Sequence, residues 1–530
     1  MASEPETAAV QPRKKRTIGS AGMNTQSTTI GGATDLGDST AEKDWRFKFK
    51  GFFRAPMRLG IDASGSLAPG EMQYHAPPVV PDGNYTRWMY TNLNPGPWAE
   101  LLFQYGNQQV MMTTSIASYN ITTGGWRELQ DQLGIDRAFL TLKFPEALGD
   151  LGGMAFDVGI FQNAYGAAGK YDAGEYETYI IGRTRMAGVT ATADMEVADD
   201  VKLIFEGGGG AKVDQQPQRY DSAGKPTYDY PTWMPYPGDQ IQQGTNILLH
   251  GHAGVVLQGI WTLQAHYIGS FVKDKRWNVG TSGGTPTLAD QMYVPGYGYI
   301  QVAGADLKLN GGWLGDGYIG YSYLKTKNAY VVNDSIEVLH SQGGWQLAHN
   351  FFPSLADSNG SIHTIGGQYT FSLAGFMMRP RPFWGQAADI IIRPYGMLNF
   401  VRTSAANGGN ITKLKFGLDF TYSFMPMMAA GFRFDTVNPK MSDSTQTFRV
   451  LSPRLTFRSE FVTHEAIVLQ YSYYFYNSSY TDPGRSGGVM PWPYGQYGTL
   501  NIDNGYDSSG SGLNMQPDKH VVSLWAQMWW

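Results

Sequence analysis

From Trp45 onward, polar and apolar residues take turns along the chain. Arg46-Phe47-Lys48-Phe49-Lys50-Gly51-Phe52-Phe53 has a period of two, the mark of a β-strand whose successive side chains point to opposite faces. The clearest case runs from Lys413 to Phe424. Lys413, Lys415, Asp419, Thr421 and Ser423 share one face, and Leu414, Phe416, Leu418, Phe420, Tyr422 and Phe424 share the other. The same reading along the whole chain predicts 18 strands, near 46–60, 98–106, 108–118, 136–145, 153–163, 180–196, 199–212, 245–257, 259–273, 299–310, 312–327, 362–375, 389–403, 412–424, 427–437, 446–461, 465–477 and 519–530. Many exceed the roughly 9–11 residues with which a tilted strand crosses a bilayer.

The connections alternate in length. Long ones (61–97, 119–135, 164–179, 213–244, 274–298, 328–361, 478–518) take turns with short ones (Asn107, Pro145–Gly152, Val197–Asp199, Gln258, Gly311, Met425–Pro426, Val462–His464). Membrane barrels segregate long extracellular loops from short periplasmic turns in this way. The expected fold is therefore an all-β transmembrane antiparallel barrel over residues 45–530, with both ends periplasmic. Phe376–Ala388 is long where a short turn is expected, and 404–411 and 438–445 are short where loops are expected, so 16 strands is the alternative count. Closure follows from the solvent: an open sheet edge in hydrocarbon strands N–H and C=O groups at several kcal/mol each. The first strand, around Phe49, is expected to pair with the last, around Trp525.

Composition agrees. Charged residues are 16% of the chain, glycine numbers 66, aromatics reach 14%, and mean hydropathy is only −0.31. Alternate lipid-facing positions explain how a membrane protein can average so polar. No 20-residue apolar run suggests a membrane-spanning helix. The absence of cysteine excludes disulfides, thiol catalysis and cysteine-bound metals, and a net charge of −5 gives no reason to expect nucleic acid. Residues 1–44 are polar, are expected to be a disordered periplasmic tail, and include Arg13-Lys14-Lys15-Arg16, read as a solvated basic cluster. No apolar leader segment follows it, so the export signal is expected to have been removed or to precede this numbering.

The final strand alternates Val522, Leu524, Ala526, Met528 and Trp530 with Val521, Ser523, Trp525, Gln527 and Trp529, and the sequence stops on Trp530. This terminus resembles the closing strand of bacterial outer-membrane proteins, which ends in an aromatic residue. The architecture of 45–530 is similar to the 16- to 18-stranded general and sugar-specific porins. The resemblance implies that Trp530 is part of the signal read by the barrel-assembly machinery. It also implies a Gram-negative outer-membrane location, a homotrimer, and passive transport of ions and small polar solutes without a cofactor.

If the apolar faces look at lipid, the opposite faces line a lumen. The expected pore-lining residues are Arg46, Lys48, Lys50, Arg54, Arg137, Lys143, Lys202, Lys308, Arg393, Lys413, Lys415, Arg433, Arg454 and Arg458, with Asp157, Glu206, Asp306, Asp419, Asp435 and Glu460. Such a wall is cationic and biased toward anions. The bland reading is that the charges pair across strands. Tryptophans expected in or beside the long loops (Trp88, Trp98, Trp126, Trp233, Trp277, Trp345, Trp492) suit sugar platforms or, more simply, loop packing and the interfacial belt.

Candidate chemistry is sparse. His250 and His252 share one strand face, but two ligands are too few for a metal and no third is assignable from sequence. Gly207–Gly210 before Ala211-Lys212 lacks the phosphate-loop spacing and reads as a flexible barrel rim. Asp503-Asn504-Gly505-Tyr506-Asp507 lacks a full calcium ligand set and reads as a turn. Neither G-x-S-x-G nor H-E-x-x-H occurs, so no enzyme is expected. Three readings stand: a diffusion porin, a structural or adhesion barrel whose loops plug the lumen and bind a partner, and, last, an outer-membrane enzyme.

Overall fold

The computed structural model describes residues 45–61, 98–107, 109–119, 133–164, 170–172, 177–179, 182–213, 219–220, 226–227, 245–273, 297–311, 315–329, 332, 336–338, 341–342, 347, 359–377, 388–403, 410–438, 441–442, 444, 447–459, 464–476 and 520–530. Its core is a closed barrel of 18 antiparallel strands. In chain order these are β1 (Arg46–Ile61), β2 (Trp98–Gly106), β3 (Val110–Tyr119), β4 (Leu133–Phe144), β5 (Gly152–Ala164), β6 (Gly182–Ala198), β7 (Val201–Val213), β8 (Thr245–Leu257), β9 (Trp261–Lys273), β10 (Tyr297–Asn310), β11 (Asp316–Lys327), β12 (Gly360–Ser372), β13 (Asp389–Arg402), β14 (Ile411–Met425), β15 (Met428–Asn438), β16 (Phe448–Ser459), β17 (His464–Tyr476) and β18 (His520–Trp529). Each pairs with its sequence neighbours. No described helix is long and apolar enough to cross a membrane, which says nothing against a crossing by strands.

β1 and β18 close the ring, with Phe52 opposite Trp529 and Ile61 opposite His520. Trp525 pairs with Pro56, so the expected partners are right and the register lies several residues from Phe49. Gly51 and Trp530 exchange backbone hydrogen bonds of 3.3 and 3.1 Å. The Trp530 indole lies over Gly51, where a Cβ would fall 2.0 Å from its Cζ2. The ring also packs 5.6 Å from that of Phe49. The terminal aromatic thus covers the seam, and Gly51 leaves it room.

The short turns gather at one end of the barrel. Asn107 Oδ1 accepts from the N–H groups of Gln109 and Val110, folding the β2–β3 turn. At the β8–β9 turn, Gln258 (φ 53°) and Gly259 (φ 65°) are both left-handed, the backbone a tight hairpin turn requires. The longer β12–β13 connection begins with a helical turn, Leu373–Phe376. Ser372 Oγ accepts from Gly375 N–H, while Asp389 accepts from Ser372 Oγ and Ala374 N–H.

The outer surface is apolar. Exposed side chains include Val158, Val189, Phe205, Leu249, Leu263, Ile319, Ile365, Leu418, Phe432 and Leu469. Aromatics gather toward the strand ends on this face. Phe49, Tyr105, Phe144, Trp261, Tyr369, Phe376 and Phe424 lie near the short-turn end, and Tyr297 and Phe475 near the other. An apolar band between two aromatic girdles is the outer face of a transmembrane β-barrel.

Candidate functional site: the barrel interior

Strand pairing sets which side chains meet inside, because directly opposed residues share a face. The interior has three layers.

Toward the short-turn end lies a collar in which basic side chains outnumber the inward carboxylates Asp194, Glu196, Asp316 and Asp389. Arg46, Lys48 and Lys50 on β1, Lys143 on β4, Lys202 on β7, Lys308 on β10 and Arg458 on β16 all occupy the inward parity of their strands. Lys202 Nζ bonds Asp194 at 2.5 Å.

The middle layer pairs opposite charges. Arg137 reaches across Ser115 of β3 to Glu100 of β2 at 3.1 Å, with all three residues buried. Arg433 grips Asp435 through Nε (2.7 Å) and a terminal nitrogen (2.9 Å), and Tyr395 donates to the same carboxylate at 2.6 Å. Asp419 takes Arg454 at 2.6 and 2.7 Å and faces Arg393 at 3.9 Å. Asp157 accepts from Thr141 at 2.5 Å. Lys413 and Lys415 are buried on β14. Around β5–β10, Glu206, His250, His252, His266 and Asp306 form a second, histidine-rich cluster, with His266 Nδ1 lying 3.3 Å from Asp306.

The layer nearest the long loops is apolar, which the alternation of polar and apolar faces did not lead one to expect. Leu248, Ile268, Ile300, Leu324, Ile362, Val401, Val437, Phe448, Tyr474 and Val521 point inward and are buried together with Ala329, Val332, Ile336, Val338 and Leu347 of the β11–β12 loop. That loop departs at Asn328, whose φ of 48° turns the chain. Asn328 is held by Asn359 Oδ1 and by the Tyr297 carbonyl, each at 3.0 Å. Its hairpin, Ile336–Val338 with Ser341–Gln342, then pairs with Gly182–Thr184 of β6. Four strands, β7–β10, separate β11 from β6 along the wall, so the loop crosses the barrel mouth.

Most of the expected lining residues therefore do face inward, but as ion pairs and packed layers rather than as a bare wall. Arg137, Lys415, Arg433 and Asp435 are each at most 2% exposed. Glu460 lies outside the described residues, as do the basic cluster of 13–16, the turn of 503–507 and every expected loop tryptophan except Trp98, which begins β2. Glu100, Asp194 and Asp389 were not among the expected acidic residues, although each has the inward parity of its strand. Gly207–Gly210 is no rim. It sits inside β7, paired on both sides with β6 and β8. Its absence of side chains admits larger neighbours, since a Cβ at Gly208 would fall 2.6 Å from His250 Nε2 and 2.7 Å from Thr190 Oγ1.

Closed pairing, an apolar outer belt and a polar interior define the class as a transmembrane β-barrel with the strand number of the 16- to 18-stranded porins. Comparison with known proteins adds the following. No family model and no curated protein matches the sequence. Among solved structures, the chain is similar to OmpF of Salmonella typhi in complex with daunomycin (10% identity, TM-score 0.35, 91% of this chain and 97% of that one). It is also similar to the outer-membrane channel DcaP of Acinetobacter baumannii (9%, 0.35, 93% and 100%) and to the outer-membrane protein OmpT of Vibrio cholerae (10%, 0.32, 93% and 100%). At these scores the likenesses carry no weight for function, and the fold rests on the strand pairing itself.

Proposed function

We propose that this protein is a porin of the bacterial outer membrane, giving small polar solutes a passive route through the lumen with a bias toward anions. The carrying observation is the contrast of faces on one closed sheet: an apolar belt outside, and inside a charged wall that opens on a basic collar. Inward basic side chains outnumber inward carboxylates among the described residues, and a ring of Arg and Lys favours anions in a narrow pore. The short-turn end, with the N-terminus, is read as periplasmic because short turns lie there in such barrels. The β11–β12 loop is read as the constriction. A homotrimer, engagement by the barrel-assembly machinery through Trp530, and a polar periplasmic tail at 1–44 belong to the same reading.

Planar-bilayer recording tests it. Pure, folded protein is expected to give discrete ohmic steps with a reversal potential of anionic sign in a salt gradient. A cation-preferring reversal potential overturns the anion bias. Complete electrical silence overturns the channel and favours the other reading, a structural or adhesion barrel closed by its loops. The described residues of the β11–β12 loop, buried against inward apolar side chains near the long-loop end, are the observation that supports that alternative.

A further inference from the structure

The histidine cluster holds a geometry that charge pairing does not explain. His252 on β8 lies directly opposite Glu206 on β7, and His250 is the next inward residue of the same strand. His250 Nδ1 lies 3.6 Å from Glu206 Oε1, and His252 Nε2 lies 3.8 Å from it. Both distances are too long for a hydrogen bond. Neither ring nitrogen has any hydrogen-bond partner, and both imidazoles are almost wholly buried. Buried polar atoms left in that state cost free energy unless something else satisfies them. One ligand atom from each residue falls within 4.8 Å of the others. Ligands 2.0–2.2 Å from a tetrahedral ion lie about 3.4 Å from one another, close to the two histidine–carboxylate spacings.

We propose that Glu206, His250 and His252 bind a borderline divalent transition-metal ion of the Zn²⁺ type inside the barrel wall. Two imidazoles and one carboxylate make a three-ligand set that leaves one tetrahedral position for water or a small anion. The other nitrogen of each ring is held from behind, as metal-bound histidines require. His250 Nε2 lies 3.0 Å from Thr190 Oγ1 and 3.1 Å from the Asn163 carboxamide; with the amide oxygen turned to the ring, a proton on Nε2 is donated to these two groups and leaves Nδ1 its lone pair. The Gln264 carboxamide sits 3.0 Å from His252 Nδ1. With its oxygen turned to the ring, it accepts the Nδ1–H and leaves Nε2 as the ligand; which amide atom faces the ring is set by the hydrogen-bond network. Gly208 provides the space for the His250 ring. Sequence reading found the two histidines but not the third ligand, because Glu206 lies 44 and 46 positions away and reaches them only through strand register.

The test uses the folded barrel in detergent, freed of metal by chelator and then dialysed against Zn²⁺ or Co²⁺. One ion per chain is expected, and the Co²⁺ form is expected to show the intense visible bands of a four-coordinate site. Glu206→Gln and His252→Ala are expected to lose the bound ion. Gly208→Ala, which crowds His250, Thr190 and the Val189 carbonyl without removing a ligand, is expected in folded protein to weaken binding about 10- to 100-fold, the range of second-layer changes at metal sites. A wild-type barrel that binds no ion, or gives only the pale spectrum of six-coordinate Co²⁺, overturns the proposal. So does binding unchanged in folded Glu206→Gln or Gly208→Ala protein. Should the ligand variants fail to fold, the wild-type stoichiometry and spectrum decide alone.

Discussion

At the residue scale, stability depends on which side of the sheet a charge occupies. Leu418 sits midway along β14 on the exposed outer face. Leu418→Arg is expected to cost about 2–4 kcal/mol, the usual penalty for a cation at the bilayer midplane, read by denaturant unfolding from lipid vesicles. Its neighbour Asp419 faces inward and is satisfied by Arg454. Arg433 is the converse case. Removing it leaves the buried Asp435 without the two-pronged contact it now has, so Arg433→Met is expected to destabilise by about 3–5 kcal/mol in the same assay, and Arg433→Met with Asp435→Leu to recover much of that. At the seam, Gly51→Leu would drive a side chain into the Trp530 indole. Slower barrel closure is expected, seen as a delayed appearance of the heat-modifiable folded band on gels.

At the element scale, the strands were readable almost residue by residue. Trp98–Gly106 and Thr245–Leu257 coincide with their expected spans, and most others agree within two or three residues. Lipid on one side and packed polar groups on the other impose a period of two that propensity alone would not. The β11–β12 loop was not readable. Its apolar residues match an apolar layer contributed by β8 to β18, and nothing local in 328–359 announces that match. Thr326 and Gly360 are paired neighbours, so a short Gly-Ser linker can replace residues 329–358 without moving the strands. That replacement is expected to raise single-channel conductance several-fold while the barrel stays folded. Unchanged conductance would show that the constriction lies elsewhere.

At the scale of the whole molecule, ring closure makes one cooperative object of 18 individually weak strands. Each strand satisfies its backbone only through neighbours on both sides. The interior charges then act together. The basic collar and the paired middle layer form one potential along the barrel axis; on the proposed function, the anionic reversal potential is expected to fall as salt screens it, because the Debye length shortens to about 3 Å at 1 M. A reversal potential that holds its value from low to high salt would point to size rather than charge as the filter.

The sequence by itself determined the positions of the strands, a count of 18 with 16 as the alternative, the alternation of long and short connections and which face of each strand is polar. Those features are written in local periodicity, which the two environments across a one-residue-thick wall enforce. Tertiary structure alone decided the pairings among residues far apart in the chain: Arg137 with Glu100, Trp530 over Gly51, a loop from β11 bound to β6, and Glu206 beside His250 and His252. Each depends on strand register and on closure into a ring. Register is a relation between segments, so no single segment carries it.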